Sequence, residues 1–481
     1  MSHFASSYRT HTCGELRGKH VGRQRTVKLS GFVAEIVDPR TLYLRDNHGR
    51  TLITIADDAD DYVSELFSRL GPEHIIQVTG RLAKREAPEV DTPTGEIFIE
   101  VTGIEHLSDT DGVPDGVVDG APVEEEERLL YRQLYLRRDE MQRRLALRSK
   151  IVFEIREFLV ANQFLELQTP QLFWYDAVAT EPEPVPVGDG KAFALPSGPV
   201  VWDQYLKPGH FDRFFQFVRI TRRETPTTPM HTLEYTGLDI NMAYVEREDF
   251  CVMIEGLITH LAKAILGLDL PNPFPSFSYR QAMSRFGTDN PFEKDDTDGE
   301  KPIRPVWVHS YPFLRPDEEG NFVPDVVVFS KVVEDDLKTA LVDPDDRNEV
   351  HAEAFDLVIN GLEIASAYMG NHNIFLQRQL WQNLFQLGVD DFIRVRAPIE
   401  AFRFAVPPHG GINIGFDRLV AVLLDIADLK EVMFYPKNDE CEDPMLGSPG
   451  PIPAEAVEDI VADAPTPDFT EEDYLKEVLE S

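Results

Sequence analysis

Two long apolar runs, 213–220 (RFFQFVRI) and 236–245 (TGLDINMAYV), flank a short polar stretch. Runs of this length and aromatic content read as strands, and the stretch between them makes them an antiparallel hairpin. The hairpin needs further strands as partners, and its connecting stretch carries reactive side chains. Arg222 and Glu224 close the first strand, while His231, Tyr235 and Asp239 follow along the returning one. A second stretch, 410–419 (GGINIGFDRL), reads as a strand passing directly into a helix, with Arg418 in its first turn. Gly410, Gly411 and Gly415 permit close backbone approach there.

The 481 residues suffice for two or three domains with a sizeable core. The first dozen residues show no apolar signal-peptide core, and no run of about 18 apolar residues could cross a membrane. Three scattered cysteines, Cys13, Cys251 and Cys441, offer neither a disulfide framework nor a zinc site and suggest a reducing, cytoplasmic setting. The formal charge of −37 reads as a solvated acidic surface, one suited to high salt. It opposes approach to a polyanion unless basic residues cluster, as they do briefly at 17–25 and 137–148.

Residues 27–104 read as four or five short strands with one helical insert at 62–70, which predicts a small all-β barrel of the OB type within a domain spanning 1–106. Residues 107–127, rich in Asp, Gly, Pro and Glu, read as a linker. Two helices are expected at 140–147 and 151–162, then a strand-rich α/β domain over 128–450. The acidic segment 451–481 reads as a tail with a short helix at 471–479.

In the hairpin, Arg222 can neutralise a phosphate, Glu224 can accept from an adenine amino group, and Tyr235 can stack on a base. Gly415 and Arg418 supply a second cationic corner. Asp356 and Glu363, seven residues apart along a strand and turn, can share a hard divalent cation such as Mg²⁺ bound to phosphates.

In order, Phe164-x-Glu166-x-Gln168-Thr169-Pro170, Arg222 with Glu224, and Gly415 with Arg418 resemble the three signature motifs of class II aminoacyl-tRNA synthetases. A closer resemblance, nearly end to end, is to bacterial aspartyl-tRNA synthetases. It is carried by 8–16 (YRTHTCGEL), 129–132 (LLYR), 136–138 (LRR), 140–143 (EMQR), 194–196 (ALP), 211–213 (FDR) and 407–411 (PPHGG). The resemblance implies an antiparallel-sheet catalytic domain flanked by helices, an N-terminal OB-fold, and a homodimer built around the segment ending at Pro170. It implies ATP bound by Arg222, Glu224, His231, Tyr235, Glu363, Gly415 and Arg418, Mg²⁺ held by Asp356 and Glu363, and an acyl-adenylate as product. Arg222 and Arg418 are the expected catalytic residues. The segment between the second and third motifs is too short for the large insertion domain of typical bacterial members.

The amino-acid half departs from that family. Where its members clamp aspartate with a lysine and an arginine, this chain has Asp203 and Gly370; their serine and glutamine become Gly198 and Val200. Their paired histidines fall on Val326 and Val327, and a small Gly-Gly-Gly-Ser run becomes Ala365-Ser366-Ala367-Tyr368, whereas Asp239 is kept. A pocket without those cations is expected to repel a dicarboxylate and to favour a neutral or cationic molecule carrying one carboxylate. The barrel departs too: a basic turn becomes 34–39 (AEIVDP), and the base-reading positions fall on Thr41 and Leu52. A barrel without an aromatic platform is expected to bind tRNA weakly or not at all.

The expectation is therefore an ATP-dependent ligase that adenylates a small carboxylate or amino acid. The alternatives are an authentic aspartate or asparagine tRNA ligase with divergent recognition, and a non-catalytic regulatory dimer that binds ATP.

Overall fold

The alternation in 27–104 closes, in the computed structural model, into a five-stranded barrel. Residues 5–23, 26–118, 120–174, 183–188, 191–222, 226–292, 303–316, 322–324, 326–342, 349–384 and 401–451 are described. The barrel order is Val27–Asp38, Thr41–Asp46, Gly49–Ile55, Ile97–Ser108, Ile75–Lys84, with the last strand pairing back to the first. Every second residue points inward, so Leu29, Val33, Leu42, Leu44, Ile53, Val78 and Ile99 fill one core. Truncating one of these, as in Ile53→Ala, costs about 2–5 kcal/mol. The helical insert is Asp61–Phe67, started by the Asp60 carboxylate accepting from the Val63 amide.

The outward positions correct one expectation. Phe32 and Tyr43 both stand on the outer face of the first strands, so that face does carry aromatic rings. Each is covered by a guanidinium: Arg137 lies 4.5 Å from the Phe32 ring centre and Arg50 lies 4.6 Å from that of Tyr43. The alternation was legible, but attention to Thr41 and Leu52 alone missed these neighbours.

The chain divides into two compact units, Met1–Gln142 and Arg143–Ser481. Within the first unit the acidic linker is not featureless. Arg138 donates to the carbonyls of Gly116, Val117 and Ala121, and a helix Glu125–Leu130 opens inside the segment read as linker. Its first turn holds Glu125, Glu126 and Glu127, where the helix dipole favours negative charge. The two helices expected next are one continuous helix, Asp139–Ala161. Nothing in 148–150 breaks a helix, and Ile151, Ile155 and Leu159 repeat every fourth residue into the second core.

The second unit is organised by an eight-stranded sheet in the order Ser276–Ser278, Pro305–His309, Ala354–Ile359, Leu362–Gly370, His409–Gly415, Glu234–Ala243, Arg213–Thr221, Leu165–Glu166. All inner pairings are antiparallel, while each short edge strand pairs in parallel. One face packs on apolar residues that include Leu238, Ile240, Phe355 and Ile412, with helix Arg247–Leu261 contributing Phe250, Ile254 and Leu257.

The other face is polar along two transverse rows. Residues directly opposed in an antiparallel sheet share a face. Gln216, Asp239, Asn413, Ser366 and Asp356 form one row across five strands. Asn241, Gly411, Tyr368 and Ala354 form the next. Gly411 lets its neighbours converge: a Cβ there would lie 2.7 Å from Oδ1 of Asn241 and 3.2 Å from the Tyr368 ring.

Residues 436–450, the end of the domain expected over 128–450, are folded into turns in which Asp443 and Ser448 exchange backbone hydrogen bonds. The helix expected at 471–479 lies outside the described residues. No helix among them is long and apolar enough to cross a membrane.

Candidate functional site

The polar rows floor a cavity of about 450 Å³. Arg222, Asp356 and Glu363 line one part of it, and Gly198, Asp203, Asp239 and Tyr368 another. A recess of about 100 Å³ adjoins it, lined by His231, Tyr235, Gly415 and Arg418 together with Arg222 and Glu363 again. The two hollows share Arg222 and Glu363 as a common wall, so residues read from three distant stretches meet at one place.

Strand Arg213–Thr221 stops just before Arg222, whose amide still bonds the Leu233 carbonyl and so continues the hairpin by one pair. The exposed Arg222 guanidinium sits 5.7 Å from the centre of the Tyr235 ring. A planar base and a phosphate can be met by such a pair together. Glu224 lies outside the described residues. His231 precedes the returning strand Glu234–Ala243 and does not lie along it; its Nδ1 is 2.8 Å from the Thr228 hydroxyl.

On the facing side, strand His409–Gly415 runs into helix Phe416–Leu423 without a break. Arg418 is held by two carbonyls, donating from Nε to Met230 at 3.0 Å and from Nη1 to Glu363 at 3.1 Å. Its guanidinium is thereby fixed at the recess. Beneath it, Asp417 accepts from the Thr236 amide and pairs with Arg148, which locks this helix to the long helix Asp139–Ala161.

Asp356 and Glu363 stand on adjacent strands, and a register shift after Leu357 pairs Glu363 with Val358. Both carboxylates face the larger cavity. Burial, and then the nearby Glu363 charge, push the Asp356 carboxyl well above the usual range, while hydroxyls of Ser366 and Tyr311 hydrogen-bond to it. Two convergent carboxylates without a cationic partner among the described residues fit a hard divalent cation.

The floor beneath the remaining residues differs from the expectation. Helix Val200–Leu206 carries Asp203 inward, 1% exposed, and one turn later Lys207, 3% exposed. Of Val200 only its place at the start of this helix is described. Lys207 donates to the Tyr368 hydroxyl at 3.0 Å, as does Gln204 at 2.9 Å. A buried cation thus stands in the region where the sequence led to an expectation of none. Arg315 adds another on the cavity wall, 3.6 Å from Asp289. The expectation of a pocket without cations is corrected on both counts. The spacing Asp203 to Lys207 was a visible one-turn signal, but it is informative only once a helix is recognised there.

Asp203 and Asp239 are buried neighbours, each feeling the other's charge. Burial drives both carboxyls up, Asp239 to about 6, and burial lowers Lys207 to about 8. Oδ1 of Asp203 and Oδ1 of Asn241 have no hydrogen-bond partner among the described residues. Gln216 donates to Asp239 at 3.4 Å and accepts from the Thr169 amide and hydroxyl, so the segment ending at Pro170 supports this floor. Buried acceptors in such numbers call for a donor of positive charge, and an ammonium supplies three. Val326 and Val327 line the same cavity.

Gly370 is needed by its neighbour. A Cβ there would lie 1.9 Å from Nε2 of His409, whose ring is 1% exposed and tethered through Nδ1 to the Pro407 carbonyl at 2.9 Å.

Comparison with known proteins gives the family and the fold. A family model described as tRNA synthetases class II (D, K and N) matches residues 124–439. An aspartate–tRNA ligase of Fervidobacterium nodosum is 28% identical over 90% of this chain and 95% of its own. An aspartate–tRNA(Asp/Asn) ligase of Opitutus terrae is 25% identical over 94% and 98%. The first alignment runs over 557 residues, more than this chain contains, so that relative carries segments absent here. Among solved structures, Pyrococcus horikoshii asparaginyl-tRNA synthetase complexed with asparaginyl-adenylate superposes with a TM-score of 0.70 at 19% identity, covering 89% of this chain and 97% of that one. Aspartyl-tRNA synthetase from Entamoeba histolytica gives 0.67 at 21% identity, covering 87% and 90%.

Proposed function

The chain belongs to the class II tRNA synthetases of the D, K and N group, and on that premise we propose that it is an ATP-dependent ligase that adenylates an amino acid in the cavity above Asp203 and Asp239. The observation that carries this reading is the shared wall. Arg222 and Glu363 border both the recess with Tyr235 and Arg418 and the cavity with the buried carboxylates. A nucleotide in the first and an amino acid in the second would meet at that wall.

The roles follow from position. The base stacks at Tyr235, and Arg222 and Arg418 bind the phosphates and offset charge as the substrate carboxylate attacks the α-phosphorus and pyrophosphate leaves. Asp356 and Glu363 would hold Mg²⁺, which when bound supplies charge neutralisation at the phosphates. Asp203, Asp239 and Asn241 receive the ammonium of the substrate, and the apolar wall at Val326 and Val327 favours a side chain without charge. An authentic aspartate or asparagine tRNA ligase is the second reading. It is favoured by the names of the relatives and by Arg315, a cation on the cavity wall beside Asp289.

tRNA is the first acceptor to test, because each relative named above is a tRNA synthetase or ligase. This replaces the sequence-based expectation of weak or no tRNA binding, which rested on a barrel face without aromatic residues. A homodimer is supported by exposed Phe153, Val160, Leu165 and Leu172 around the segment ending at Pro170.

ATP–pyrophosphate exchange against a panel of amino acids, with and without tRNA, tests the reading. Exchange with a monocarboxylic amino acid and little with aspartate is the expected result. Tight, saturable exchange with aspartate followed by tRNA charging would establish the second reading, and absence of exchange with every acid would overturn both.

A further inference from the structure

A second constellation lies in the barrel unit, apart from any residue used above. His74 immediately precedes strand Ile75–Lys84, His106 lies near the end of strand Ile97–Ser108, and Asp109 follows that strand. The two strands pair, with His106 opposite Ile76 and a register shift beside it, so both imidazoles come to the same end of the barrel. The rings stand edge to face with centres 5.6 Å apart. Oδ1 of Asp109 is 3.0 Å from Nε2 of His106 and 3.8 Å from Nδ1 of His74, and one ligand atom from each residue falls within 4.8 Å of the others.

A tetrahedral ion with bonds of about 2.0–2.1 Å to nitrogen and oxygen separates its ligand atoms by roughly 3.4 Å. The observed separations bracket that value. His74 is also fixed through its backbone. The Val33 amide donates to its carbonyl at 2.9 Å, and the preceding Glu73 is held in a left-handed turn at φ 67°, its carboxylate paired with Arg45 and Arg137. The Gly71 amide reaches Nδ1 of His74 at 3.4 Å, the long end of hydrogen bonding, which a metal bond would outcompete. Both imidazoles are partly exposed and Asp109 is largely exposed, so an ion has an entry path.

We propose that His74, His106 and Asp109 form a site for a divalent first-row transition ion of the zinc type. Two imidazoles and one carboxylate suit Zn²⁺ better than Mg²⁺ or Ca²⁺, which prefer all-oxygen shells. Three protein ligands leave a coordination position open to water or to a fourth donor. Bound metal ties Asp109, the first residue after the barrel's last strand, to the opening of the neighbouring strand.

The test uses the full-length, untagged chain stripped of metal and titrated with Zn²⁺, with Co²⁺ as a spectroscopic probe. The expected result is one saturable equivalent per chain assigned to this site, visible Co²⁺ bands of a nitrogen–oxygen site, and a melting temperature raised by a few degrees. Asp109→Asn, an exposed position that leaves the fold intact, should weaken Zn²⁺ binding at least about tenfold, and His106→Ala should abolish the Co²⁺ bands. Undiminished binding in both variants would place the ion elsewhere and overturn the proposal. Absence of saturable binding in the parent would overturn it equally.

Discussion

Lys207 follows Asp203 by one helical turn, yet its ammonium donates to the Tyr368 hydroxyl at 3.0 Å and Oδ1 of Asp203 stays without a hydrogen-bond partner among the described residues. The floor therefore holds a cation and two carboxylates that are close but not matched. On the proposed function, the ammonium of the substrate would complete the set.

Asp239 must be ionised to hold an ammonium, and its carboxyl is raised to about 6 by burial. The rate of pyrophosphate exchange at limiting amino acid should fall as pH drops through about 6, and Asp239→Asn should remove this acid limb together with most activity. Stability moves in the opposite sense. The folded chain keeps a proton that the unfolded chain releases near the ordinary value of 3.8. Ionisation thus costs stability as pH rises from about 4 to about 6. Asp239→Asn should melt at nearly the parent temperature below that window and above it once the pH exceeds 6, as differential scanning fluorimetry across pH will show.

Arg418 is anchored by the carbonyls of Met230 and Glu363. Arg418→Ala should lower exchange by a factor of about 100 or more, the scale for removing a charge-stabilising donor, with a small change in melting temperature. Unchanged exchange would remove Arg418 from the site.

Asp356→Asn tests the divalent-cation assignment. The variant should need a higher Mg²⁺ concentration for half-maximal exchange, and ATP affinity measured without Mg²⁺ should change little. An unaltered Mg²⁺ titration would exclude Asp356 as a ligand.

Arg148 and Asp417 join two helices through a buried ion pair. Asp417 is 1% exposed, and Arg148 also lies over the Phe416 ring at 4.6 Å. Arg148→Ala leaves a buried carboxylate unpaired and should cost about 3–5 kcal/mol in chemical denaturation. The Asp417→Asn, Arg148→Met double variant should recover much of that loss.

The parts of the molecule legible in sequence are those with local signals. The hairpin 213–243, the strand-to-helix passage before Arg418, and the barrel's alternation all follow from periodicity, and the structure brings Arg222, Tyr235, Glu363 and Arg418 to one wall. Lys207 was missed because its meaning depends on helix Val200–Leu206, a short element whose sequence VVWDQYL does not announce itself. Tyr368 was noted only as an enlargement, whereas its hydroxyl is the acceptor for Lys207 and Gln204. The continuity of Asp139–Ala161 was hidden by the charged 148–150 segment, where Arg148 faces Asp417 from the far end of the sequence. Contacts made across more than two hundred residues leave no periodic trace.

The steric relation between Gly370 and His409 limits what position 370 can hold. At position 370 the side-chain space is occupied by a tethered imidazole. Any residue with a Cβ at position 370 would drive that atom into the ring unless His409 moved. His409 would first have to rotate away from the Pro407 carbonyl, abandoning its packing beside Tyr368 and Phe402. Gly370 and His409 are in that sense a matched pair: a side chain at one position requires an adjustment at the other.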